Sequence, residues 1–161
     1  MFPEECFLSD VLISPDIDHL DFCGVRFGLL PLPGHSAGQM GFITPDGTAY
    51  LADCLLGPEQ LQRFKLPTIM HIARDLTVME SLRSLRCPVY VLAHKTSVTE
   101  LGPVIDANIA AIHDKGRRLM SCLTDGMTAD QWLYAYCRQE GIHHTDLLRL
   151  RVNQRTFMQL T

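Results

Sequence analysis

The chain has 161 residues, 47% of them hydrophobic and 20% charged, enough to bury a core in one domain. Its formal net charge of −4 and pI near 5.9 give no global attraction to nucleic acid or anionic membranes, and no apolar stretch reaches the roughly 20 residues that span a bilayer. The N-terminus lacks a basic, apolar leader. The six cysteines are scattered with no C-x-x-C pair, which points to reduced thiols, and the expected setting is a bacterial cytoplasm.

Residues 1–22 read as irregular, with Pro3, Pro15 and an acidic cluster at Asp16, Asp18 and Asp21. Cys23 to Leu30 predicts the first strand, entered through Asp21 and Gly24 as turn material. Pro31 and Pro33 break it, because proline fixes φ and cannot donate to a ladder. Gly34 and Gly38 then bracket His35 and allow turn geometries closed to other residues. Gln39 to Thr44 reads as a strand, Asp46-Gly47 as a two-residue hairpin turn, and Thr48 to Ala52 as the returning strand. Counting outward from that turn, Asp53 lies roughly opposite Met40, with His35 a few residues beyond. Both polar side chains therefore fall at the same end of the hairpin.

Glu59 to Met70 is a mixed segment in which Pro67 blocks a long helix. His71 stands alone beside apolar residues, where a packed or exposed histidine is commoner than a ligand. From Ile72, apolar side chains recur at Leu76, Met79, Leu82 and Leu85, a helical period with one buried stripe. Cys87-Pro88 stops that helix. Val89 to Ala93 is a short apolar run, as expected of a strand covered on both faces, and His94 follows at once. Ser97 to Glu100 has capping-box spacing and Pro103 suits a first helical turn, predicting a helix from Pro103 to about Leu123. Thr124-Asp125-Gly126 closes it and sets a boundary between a domain at 1–124 and a helical segment at 125–161. Thr128 to Gln131 is a second capping box, opening a helix through Trp132 and Tyr136 that Gly141 ends. The rings of His143 and His144 diverge on any regular element and do not suit one metal.

Hairpin, helix and buried strand together predict a sheet with a helix packed on one face, in the α/β class. Three candidate ligands, His35, Asp53 and His94, follow strand-like runs or their turns. Singly, each has an ordinary role: a turn residue, a helix cap, a polar strand end. Together they are two imidazoles and a carboxylate, donors that suit Zn²⁺ and also iron or manganese.

Pro33-Gly34-His35-Ser36-Ala37-Gly38 resembles the metal-binding P-G-H-[ST]-x-G turn of the metallo-β-lactamase superfamily. Leu51-Ala52-Asp53-Cys54-Leu55-Leu56 is similar to its G-D-x-L-F element, whose aspartate bridges two metals, and Tyr90 to His94 resembles its last strand, which ends in a histidine ligand. The resemblance implies the C-terminal half of an αββα sandwich, with His35 on one zinc ion, Asp53 bridging and His94 on the second, two ions per complete site. It also implies hydrolysis of an ester, thioester or lactam in a small-molecule substrate, as in the hydroxyacylglutathione-hydrolase-like branch.

The chain departs from that pattern. It has no H-x-H-x-D-H motif; Ser14 to His19 keeps only the final Asp-His and reads better as an acidic surface loop. Ala52 stands where glycine is usual, and Lys95 replaces the glycine often found after the last histidine. The expectation is a fragment with an incomplete dinuclear site, needing an N-terminal half or another chain and prone to self-association. Residues 125–161 resemble a partial winged-helix-like appendage. Its Arg149, Arg151 and Arg155 suit phosphate contacts, but such a run is more often a solvated face, so nucleic acid is not expected as a partner. The alternative is a non-catalytic module that binds a partner or nucleic acid through these helices.

Overall fold

The computed structural model describes residues 11–14, 16–63 and 69–142. Six strands form one sheet in sequence order: β1 (His19–Phe22), β2 (Val25–Pro31), β3 (Met40–Ile43), β4 (Ala49–Tyr50), β5 (Tyr90–Leu92) and β6 (Thr96–Val98). All neighbours are antiparallel except β4 and β5, which run parallel with Ala49 beside Tyr90 and Tyr50 beside Val91. A parallel pair needs a long crossover, and this one carries helices α1 (Pro58–Arg63) and α2 (Ile72–Ser81).

β1 corrects the irregular reading of residues 1–22. Its ladder pairs His19 with Gly28 and Phe22 with Val25, around a turn in which Cys23 and Gly24 have φ of 51° and 75°. Positive φ at both central residues matches the twist of a two-residue hairpin. The Asp46-Gly47 turn differs from expectation in the other direction. Gly47 N–H donates to the Thr44 carbonyl at 2.8 Å, and Thr44 N–H donates to the Thr48 carbonyl at 3.0 Å, which makes a three-residue loop. Pro45 is preset for the second position of a type I turn, leaving the left-handed position to Gly47 at φ 84°.

The sheet is two-faced. Leu30, Ile43, Ala49, Tyr90, Leu92 and Val98 point to the side where α2 and α3 (Gly102–Ser121) lie, packing with Ile72, Met79, Leu82, Ile105 and Ile112. The opposite face carries Phe22, Val25, Phe27, Leu29, Phe42, Tyr50 and Val91, linked across the strands by their register. Phe42 stacks on Tyr50 at 4.6 Å and meets Phe27 edge-on at 6.0 Å. Phe22 is 64% exposed, and none of these side chains belongs to the core cluster.

Ser97 to Glu100 is not a capping box: Thr96–Val98 is a strand, and α3 begins after Leu101 with no side-chain cap. The β-branched Thr96 and Val98 favour the pleated surface, and Pro103 opens the helix as expected. The second capping box does form. Gln131 N–H donates to Thr128 Oγ1, and Thr128 N–H donates to Gln131 Oε1, opening α4 (Ala129–Gln139). Trp132, Leu133, Tyr136 and Cys137 pack with Leu119 in a separate small cluster, and Trp132 Nε1 donates to the Leu119 carbonyl at 2.7 Å. The last turns of α3 thus serve this second cluster. His143, His144, Arg149, Arg151, Arg155 and the expected wing lie outside the described residues. Among the described residues no helix is long and apolar enough to cross a membrane, and the five described cysteines are free.

Candidate functional site

Past the ends of β4 and β5 the two segments remain tied. Leu51 N–H donates to the Val91 carbonyl at 2.9 Å, and Ala93 N–H donates to the Ala52 carbonyl at 3.1 Å. Asp53 sits in the 3₁₀ turn Ala52–Cys54, and His94 sits in the turn between β5 and β6. This brings His94 Nε2 to 3.4 Å from Asp53 Oδ1, with both side chains part-exposed. The backbone at this point is unusual. Ala52, His94 and Lys95 have φ of 48°, 60° and 68°, a region non-glycine residues enter at a cost. Leu92 pairs with Thr96, so Ala93–Lys95 is a three-residue connection, and two of its three residues hold positive φ without glycine.

His35 lines the same cavity as Asp53 and His94, a space of about 320 Å³ walled also by Cys54, Asp75, Asn108 and Lys115. Its turn is laid on α2. The Gly34 carbonyl accepts N–H bonds from Met70 at 3.1 Å and His71 at 3.0 Å, and the carboxylate of Asp75 accepts the backbone N–H of His35. His71 occupies the N-cap position of α2 and is exposed. Asp18 and His19 contact each other at 2.6 Å on the edge of the sheet and do not line the cavity.

Three buried polar side chains hold the walls, and the sequence reading passed over all of them. Gln60 Nε2 donates to the His94 carbonyl at 3.4 Å, and Thr96 Oγ1 donates to Gln60 Oε1 at 3.2 Å. Asn108 is 3% exposed; its Oδ1 accepts the Leu56 N–H and its Nδ2 donates to the Leu56 and Val104 carbonyls. The loop after Asp53 is thereby pinned to α3. Asp75 is 2% exposed. Asp75 and Asn108 stand inside the apolar stripes of their helices, Asp75 between Ile72 and Met79 and Asn108 between Ile105 and Ile112. A polar residue in a core register is the signal that could have found them.

Burial raises the Asp75 carboxyl to about 7, opposed by the His35 N–H bond. Burial, and then the nearby Asp75, push the Cys54 thiol to about 12, which removes it as a thiolate nucleophile. Burial also lowers Lys115, with Arg118 adding to the shift and Asp114 and Glu140 opposing it.

The donor chemistry fits a zinc ion: an imidazole and a carboxylate already in contact, with a second imidazole on the same cavity and Asp75, whose buried Oδ1 has no partner, in its wall. Among the described residues no three such donors are gathered round one point.

No family model and no curated protein matches the chain. Solved structures do. A metallo-beta-lactamase family protein from Thermus thermophilus superposes with a TM-score of 0.62 at 20% identity, over 94% of this chain and 48% of that one. A beta-lactamase domain protein from Burkholderia ambifaria gives 0.61 at 15% identity, over 89% of this chain and 43% of that one. The chain therefore has the fold of part of the metallo-β-lactamase sandwich, and it spans about half the length of the structures it matches.

Proposed function

We propose that this chain is the C-terminal half of a metal-dependent hydrolase, acting on an ester, thioester or lactam of a small molecule in the cytoplasm. The observation that carries this reading is the contact of His94 with Asp53 across the ends of β4 and β5, on the cavity that His35 also lines. His35, Asp53 and His94 are the proposed holders of zinc, a reading supported by the likeness of their turns to the superfamily's metal-binding motifs and by the one cavity that all three line. An ion held by these residues would supply Lewis acidity, lowering the pKa of water towards neutrality and polarising a carbonyl. The residues of the chain do the rest. Gln60 and Asn108 fix the two loops that present His94 and Asp53, and the apolar wall at Leu56, Leu61, Ile69 and Met79 sheds water from a substrate.

The second sheet face, which no element among the described residues covers, fits this reading. It is apolar and continuous across five strands, and the matched structures have as much chain again. We assign that face to a second sheet, from an N-terminal half or another chain, which would also bring the remaining donors. A second reading, a module that keeps a relict half-site, is favoured by one observation: no three donors converge among the described residues.

Elemental analysis of the purified chain, beside His35→Ala and Asp53→Ala, tests both. Bound zinc or iron that is lost in each variant supports the hydrolase half; no bound metal at any concentration supports the relict module.

A further inference from the structure

We infer that Asp75 is a positioning residue for His35, setting where the donor turn sits over the cavity; the inference rests on the metal-dependent reading above. A carboxyl group in the core stripe of a helix is costly to bury, and apolar residues fill such positions at no such cost. Asp75 is nevertheless 2% exposed. Its carboxylate accepts the backbone N–H of His35, its Oδ1 is buried with no partner, and the residue lines the cavity shared with His35, Asp53 and His94. Its hydrogen bond therefore serves a proposed donor residue.

The neighbouring packing is built for that contact. A Cβ on Gly34 would lie 2.2 Å from Asp75 Oδ1 and 2.6 Å from Asp75 Cα, so the turn rests directly on the backbone of α2. The two bonds into the Gly34 carbonyl use N–H groups at the start of α2, which have no partner within the helix. These two bonds fix Gly34; Asp75 fixes the next residue, from which the imidazole projects. Outer partners of this kind typically change metal affinity by about 10–100-fold when removed.

The test compares the wild-type chain with Asp75→Asn, which keeps an acceptor, and Asp75→Leu, which does not. Amide hydrogen exchange on the metal-free chain reads the His35 N–H directly, with the Leu51 N–H as reference for the sheet. The expected result is a protected His35 amide in wild type and Asp75→Asn, and exchange about tenfold faster in Asp75→Leu, with Leu51 unchanged. Cobalt(II) titration should show affinity about 10–100-fold lower in Asp75→Leu, with an altered visible spectrum, and recovery in Asp75→Asn.

An unprotected His35 amide in the wild-type chain overturns the inference without any variant. So does parallel loss of Leu51 protection in Asp75→Leu, which would mark Asp75 as a core residue only, or a cobalt spectrum unmoved by the leucine. A wild-type chain that binds no cobalt overturns the hydrolase reading instead, and the exchange comparison still decides whether Asp75 holds the turn.

Discussion

Replacing Ala52 and Lys95 by glycine should stabilise this fold. Both residues hold left-handed backbone, at φ 48° and 68°, and both are exposed, so truncation removes no packed surface. An L-residue there costs about 1–2 kcal/mol. Glycine is unstrained in the same region but adds about 0.5–1 kcal/mol of unfolded-chain entropy. The difference is a net gain of about 0.5–1 kcal/mol per site. The two sites flank one hydrogen bond, from Ala93 N–H to the Ala52 carbonyl, so the pair couples, though both terms have the same sign. At about 2–4 °C per kcal/mol for a chain of this size, the double variant should melt about 2–8 °C higher. Urea midpoints with an unchanged slope check the equilibrium value. A midpoint that is unmoved or lowered in both single variants would refute the argument, because it would mean that these turns store no strain.

Gly34→Ala should have the opposite effect. Its Cβ would meet the Asp75 backbone at 2.6 Å, an overpacking cost of about 3 kcal/mol in denaturant melts, and Asp75→Ala should not rescue it because Cα remains. Stability of the metal-free chain should also vary with pH in a direction set by Asp75. Its carboxyl is held at about 7 in the fold against an ordinary 3.8, so the native state keeps a proton that the unfolded state has lost. The contribution is complete below the lower value and falls away as pH rises to the upper one, by up to about 4 kcal/mol. Asp75→Asn should flatten that slope in pH-dependent melts. Finally, the chain alone should self-associate through its uncovered aromatic face; light scattering should detect this, and Phe22→Lys with Phe42→Lys should suppress it. A clean wild-type monomer would count against the half-sandwich.

How far the sequence could be read depended on what kind of force shaped each element. Where a hydrophobic period dominated, as over Ile72 to Leu82 and Ile105 to Leu119, the helices lie where the pattern placed them. The capping box at Thr128 is equally local and forms as expected. β1 escaped notice because it is an edge strand whose ladder bonds, rather than buried side chains, define it. β6 escaped because S-x-x-E reads the same in a strand as at a helix start.

The placement of His35 and Asp53 at one end of the hairpin was visible by counting, and both line one cavity. The turn that carries His94 was not visible. It holds two positive φ angles without glycine or asparagine, so the chain gave no local sign of it. Gln60 was equally hidden, because its backbone partner lies far away in sequence; Asp75 and Asn108 showed only as polar residues in core registers, with nothing local to say which distant backbone groups they serve.

The single parallel pairing has a kinetic consequence. Four of the five strand contacts join sequence neighbours through short turns or loops, and loops of that length close fast. The contact between β4 and β5 must instead wait for the chain from Tyr50 to Tyr90 to return with two helices in place, a closure that costs more entropy and comes late. Asp53 follows one partner of that contact and His94 the other. The pair therefore exists only in molecules that have finished the slow step, and whatever binds it draws from those molecules alone. Formation of the site is, in effect, a report that folding is complete.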